Sequence, residues 1–93
     1  MVKNYFSLAS GMKKSEENGK FDIQFGQFLK RKRLERGWTQ EELASKLGNN
    51  FQNISRLERG EITPTLFWCL KLASAFEIKL VTLMKEFTND KSV

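Results

Sequence analysis

Residues 39 to 60, TQEELASKLGNNFQNISRLERG, constrain this chain more than any other stretch. Thr39 is a natural helix cap, because its hydroxyl accepts from the backbone N–H groups of a first turn. Glu42, three residues on, reaches back to complete a capping box. Leu43, Ala44 and Leu47 then form one apolar stripe. Gly48 stops that helix, since glycine alone takes a positive φ without steric cost. Asn50 caps the next helix, whose inward face is Ile54 and Leu57. What remains outward on it is Phe51, Gln52, Asn53, Ser55, Arg56 and Arg59, a set suited to base edges and phosphates. The stretch therefore predicts two short amphipathic helices joined by a tight turn.

Such a pair reads as a helix-turn-helix, and the charge of the chain agrees with a polyanionic partner. The net charge is +5 and the pI is near 9.6; Lys30, Arg31, Lys32, Arg33 and Arg36 crowd one helix just before the motif. Arg56 and Arg59 close the second motif helix, while Glu41 and Glu42 sit at the start of the first, where its dipole favours them. Ninety-three residues allow one domain with a modest core. The lone cysteine, Cys69, lies within an apolar helix and reads as a buried structural thiol. No run is long enough to span a bilayer, and the N-terminus lacks the apolar segment of a signal peptide. A cytoplasmic, nucleoid-associated protein is expected. Histidine is absent, and no carboxylate cluster or phosphate loop appears, so no enzyme, metal, cofactor or small-molecule substrate is expected.

The pattern is all-α throughout. Residues 1 to 20 read as a separate extension, with Tyr5, Phe6, Leu8, Ala9 and Met12 ahead of a linker-like KKSEENGK. That extension is a loose tail, a strap on its own domain or a dimer mate, or an arm along DNA. The domain proper spans 21–88, and 89–93 form a tail. Helix one is expected from Gln24 to Arg36, burying Phe25, Phe28 and Leu29, with Gly37 ending it and Trp38 plugging the core. Helices two and three occupy Gln40 to Leu47 and Phe51 to Glu58. Thr63-Pro64-Thr65 opens helix four, which runs to Phe76 and buries Leu66, Cys69, Leu70, Ala73 and Phe76. Helix five runs from Leu80 to Phe87 with Leu80 and Leu83 inward.

The motif, together with FGQFLKRKRLERGWTQ before it and GEITPTLFWCLKLASAFEIKLVTL after it, resembles the lambda repressor/Cro superfamily, the XRE group of regulators. The similarity covers about residues 24 to 86. It implies a five-helix bundle in which helix two crosses the DNA backbone and helix three enters the major groove. Two positions depart from the family pattern. Asn49 replaces a small apolar residue or threonine after Gly48. Glu77 stands where the loop before the last helix carries glycine, which predicts a differently shaped loop, because a left-handed glutamate costs on the order of 1 kcal/mol.

Carried over position by position, the resemblance places Phe51, Gln52 and Arg56 against base edges. Gln52 suits adenine N6 and N7, and Arg56 suits guanine O6 and N7. Phe51 either meets a thymine methyl or turns inward to pack, and Asn53 touches a base or a phosphate. Gln40 matches a phosphate-binding position at a helix N-terminus; Thr39, Asn50 and Arg59 join it as backbone contacts. Arg33 and Glu58 match an ion pair that ties helix one to helix three.

Phe67 and Trp68 fall where the family has polar surface, and Val81, Met84 and Phe87 exceed what helix five needs for a core. Bulky apolar surface on a small domain marks an interface. A homodimer through helices four and five is expected, reading double-stranded DNA at a palindromic operator. The function implied is a sequence-specific transcriptional regulator, a repressor or autoregulator of the phage, mobile-element or restriction–modification controller type. The alternative is an antitoxin that binds a toxin protein and represses its own operon.

Overall fold

A computed structural model describes residues 14–90. They form five helices and no strand: α1 (Lys14–Glu35), α2 (Gln40–Leu47), α3 (Phe51–Glu58), α4 (Leu66–Ala75) and α5 (Leu80–Thr88). α3 packs on α1 and α2, and α4 packs on α2 and α5. No helix among the described residues is long and apolar enough to cross a membrane.

α1 begins well before Gln24. The KKSEENGK run, expected as a linker, supplies its N-terminal part from Lys14 onward, with Glu16 and Glu17 in the first turn where the helix dipole favours them. The reason lies in Phe21. Its ring stacks on Phe25 at 5.6 Å and meets Phe87 edge-on at 5.6 Å. The buried stripe of α1 thus starts one turn earlier than Phe25. Residues 1–13, which carry most of the expected extension, and 91–93 lie outside the described residues.

The core takes Phe25, Phe28 and Leu29 from α1, Leu43, Ala44 and Leu47 from α2, and Ile54 and Leu57 from α3. The expected inward face of α4 holds at Ala73 and at Phe76 just past its end, but not at Leu66 and Leu70. Leu72, Ala73 and Phe76 are buried, Cys69 is half-buried, and Leu66 and Leu70 are exposed at 68% and 48%. Nearly every position of this helix is apolar, so its sequence offers no polar face to fix the rotation. Phe87 is a second correction. Expected at an interface, it is 3% exposed and sits among Phe21, Phe25 and Phe28, with ring centroids 5.3 to 5.6 Å away. Trp68 and Met84 are half-buried and pack against the core, whereas Phe67 and Val81 are exposed.

One device closes four of the helices. After each, a residue of positive φ lets two N–H groups turn back onto the last carbonyls. Gly37, Gly48 and Gly60 fill that position at φ 71°, 67° and 73°. Glu77 fills it after α4 at φ 60°, its N–H on Ser74 O at 2.9 Å and that of Ile78 on Ala73 O at 3.0 Å. The loop expected to be differently shaped therefore keeps the same geometry, with glutamate held in it by two backbone bonds. Glu77→Gly is expected to raise Tm by a few degrees. It removes roughly 1 kcal/mol of left-handed strain at a smaller entropic cost. Thermal unfolding followed by circular dichroism measures this, and a lowered Tm would contradict it.

Candidate nucleic-acid interface

α2 and α3 owe their starts to side-chain caps. The Thr39 hydroxyl accepts from Glu42 N–H at 3.0 Å while the Glu42 carboxylate accepts from Thr39 N–H at 2.8 Å. Asn50 Oδ1 accepts from Asn53 N–H at 3.1 Å. Between the two helices, Gly48 and Asn49 return their N–H groups to Ser45 and Ala44 carbonyls at 3.2 and 2.9 Å. Asn49 is therefore accommodated in the turn without disturbing the entry into α3.

α3 shows two unlike faces. Ile54, Leu57 and Glu58 are buried, while Phe51, Gln52, Arg56 and Arg59 are exposed and Asn53 and Ser55 are half-buried. Phe51, at 43% exposure, points outward rather than packing inward.

The buried end of α3 is held by a polar knot. Arg33 Nε donates to Glu58 Oε2 at 2.6 Å and Arg33 Nη2 to Glu58 Oε1 at 3.0 Å, a two-pronged pair whose side chains are 7% and 3% exposed. Arg33 Nη1 also donates to the Trp38 carbonyl at 2.7 Å, and Gln40 Nε2 donates to Glu58 Oε1 at 3.0 Å. Gln40, singled out for a phosphate, thus also stitches the start of α2 to the end of α3. Its amide nitrogen retains one further N–H.

Sequence reasoning missed Gly26. Here α1 comes so near α3 that a Cβ would lie 2.4 Å from the Leu57 carbonyl oxygen and 2.7 Å from that of Glu58. The signal was present, since a glycine inside a helical run suggests close packing. Ile23 repeats the contact one turn earlier, where a Cβ on Gly60 would come within 2.8 Å of its Cα.

The basic run of α1 turns out to serve the fold. Arg31 pairs with Asp90, just past α5, and Lys32 with Glu86 within it. Arg36 donates to the Phe76 carbonyl at 2.9 Å and lies over the Trp38 and Phe76 rings. Trp38 itself stacks on Phe76 at 5.2 Å and carries Lys46 above its ring at 4.5 Å. Of the run, Lys30 stays exposed on the surface.

Arg59 lies at the exposed edge of α3, bonded to Ser55 Oγ and to Glu61 through Nε at 2.7 Å and Nη2 at 3.2 Å. That hydrogen bond holds the Glu61 carboxyl below its ordinary range and raises Arg59. Burial pushes the Cys69 thiol upward, which suits a packed thiol rather than a reactive thiolate.

An exposed polar helix, capped at its start and clamped at its end, matches a known arrangement. A helix-turn-helix family model, HTH_3, matches residues 29–83. The chain belongs to this helix-turn-helix family. HTH_3 proteins are DNA-binding transcription regulators that bind double-stranded DNA. Comparison with curated proteins returned no match. Among solved structures, the chain is similar to the restriction-modification controller protein C.AhdI from Aeromonas hydrophila. The two are 34% identical with a TM-score of 0.65, over 69% of this chain and 97% of that one. It is also similar to an HTH_3 family transcriptional regulator from Vibrio cholerae, at 30% identity and a TM-score of 0.68. That likeness covers 78% of this chain, which spans 39% of the Vibrio protein. Within the stretch that the family model matches, α2 and α3 are consecutive helices joined by the tight turn at Gly48 and Asn49.

Proposed function

We propose that this chain is a sequence-specific regulator of transcription that inserts α3 into the major groove of an operator. The observation that carries this reading is the division of α3. Its outer face bears a free aromatic ring, an amide and a guanidinium, while its inner face is pinned to α1 and α2. Gln52 pairs with adenine and Arg56 with guanine, Phe51 covers a thymine methyl, and Asn53 reads a neighbouring base. Thr39, Gln40, Asn50 and Arg59 meet phosphates on either side. The DNA-binding unit, read from the sequence as residues 21–88, extends back to Lys14 so as to take in the whole of α1. The chain works without catalysis, in the compartment that holds the DNA.

The active species is a homodimer. Leu66, Phe67 and Leu70 form an exposed stripe at helical spacing on α4, and Val81 is exposed on α5. A small domain gains by covering such surface, and Trp68 and Met84 border it from the core side. A dimer sets two reading helices about one DNA turn apart on a palindrome. The likeness to a restriction-modification controller supports a role as repressor or autoregulator.

Arg56→Ala is expected to weaken operator binding by about 1–3 kcal/mol for each half-site and to relax the preference for guanine at one base pair. Fluorescence anisotropy on a duplex selected from a random pool measures both. Unchanged affinity would remove α3 from the groove, and a selected site without twofold repeat would remove the dimer.

A further inference from the structure

Asn49, the residue that departs from the family pattern in the turn, has an unusual set of partners. Its Oδ1 accepts from the Asn50 N–H at 2.8 Å and from Asn53 Nδ2 at 2.9 Å. Asn50 Oδ1 in turn accepts the Asn53 main-chain N–H at 3.1 Å. Two consecutive asparagines thus hold a third at both its backbone and its side-chain nitrogen. The Asn53 side chain is half-buried, and its Oδ1 takes no hydrogen bond among the described residues.

An asparagine amide is a two-faced reader. Rotated one way it offers an oxygen acceptor, and rotated by half a turn it offers an N–H donor. Anchoring one N–H of Nδ2 removes that freedom: it fixes the second N–H and, beside it, the acceptor Oδ1. In the major groove, the groups that can donate to it are the exocyclic amines, adenine N6 and cytosine N4. Guanine O6 and thymine O4 are acceptors and meet it with repulsion.

We infer that Asn49 is a specificity-positioning residue: by fixing the Asn53 amide it makes Asn53 select an amino-bearing base, adenine or cytosine, over guanine or thymine. The inference rests on the reading of α3 as the groove helix and assigns a chemical preference to one position of the operator. Asn49 touches no base; it acts through Asn53.

The test is base-pair preference rather than affinity alone. Binding sites are selected from random duplexes with the unaltered protein and with Asn53→Ala, Asn49→Ala and Asn49→Asp. Asn53→Ala identifies the base pair that Asn53 reads. At that pair, Asn49→Ala is expected to reduce the amino-over-keto preference from roughly tenfold to near parity. The positions set by Gln52 and Arg56 are expected to stay unchanged. Asn49→Asp keeps an oxygen that accepts both bonds and is expected to retain the preference, although its charge lowers affinity everywhere. Asn49→Ala leaves the turn's backbone bonds in place, and a thermal melt verifies that it folds.

The inference is overturned if Asn49→Ala keeps the full preference, if it erodes all positions equally, or if Asn49→Asp behaves as alanine does. It also falls if Asn53→Ala alters no position. Failure of the unaltered protein to select any sequence would instead bring down the groove reading itself, so the two failures are distinct.

Discussion

Replacing Arg33 by methionine is expected to destabilise the domain by about 3–5 kcal/mol, the cost of stranding a buried charge without its partner. The stranded group is Glu58, whose side chain is 3% exposed and would keep only the Gln40 amide as a donor. The Trp38 carbonyl loses its donor in the same substitution. Total stability for a domain of this kind is about 5–15 kcal/mol, so the loss consumes a large share of it. Arg33→Met with Glu58→Leu is expected to recover much of the loss, because an apolar pair of similar volume replaces a buried ion pair at little cost. Recovery stays incomplete, since Gln40 and Trp38 remain without their partners. Urea denaturation of the single and double variants gives the coupling directly. A single variant within about 1 kcal/mol of the unaltered protein would show that the pair adds little to the hold on α3.

The ends of α2 and α3 were legible because caps and stops are local chemistry. Thr39, Glu42, Gly48 and Asn50 act on groups within four residues of themselves. The outward arc of α3 was legible for a related reason, since after Phe51 only Ile54 and Leu57 break its polar run. α4 was not, because Leu66, Phe67, Cys69, Leu70 and Leu72 offer no contrast from which to read rotation. Which of them face inward is decided by the shapes of α2 and α5. Phe87 was assigned to an interface for a similar reason. Its partners Phe21, Phe25 and Phe28 lie some sixty residues away in sequence, and only the closed bundle brings them together. The charge run 30–36 misled in the opposite direction. Density of lysine and arginine is visible in a sequence, but the acids Glu86 and Asp90 that engage it are not. Asn49 registered as a departure from pattern, whereas its bond to Asn53 needed the helix to be built.

Gly26→Ala is expected to damage α3 more than any substitution on its exposed face. On helix propensity alone the change favours α1 by about 1 kcal/mol, because alanine loses less backbone entropy than glycine. Packing opposes it. The new Cβ would sit 2.4 and 2.7 Å from two carbonyl oxygens and 2.9 Å from the Glu58 carbonyl carbon. All three are backbone atoms of α3, so no side chain can rotate away to relieve them. Either the helices separate, at a cost of about 1–3 kcal/mol or more from overpacking, or the last turn of α3 shifts. A shift there moves Arg56 out of register and stretches the Arg33–Glu58 pair two turns further along α1. Gly19→Ala provides the internal control. The same substitution on the same helix, with nothing within 4 Å of the new Cβ, is expected to raise Tm through propensity alone. Opposite signs for one chemical change on one helix isolate the α1–α3 approach as the cause. If both variants raise Tm and both keep operator affinity, α1 does not clamp α3 at Gly26.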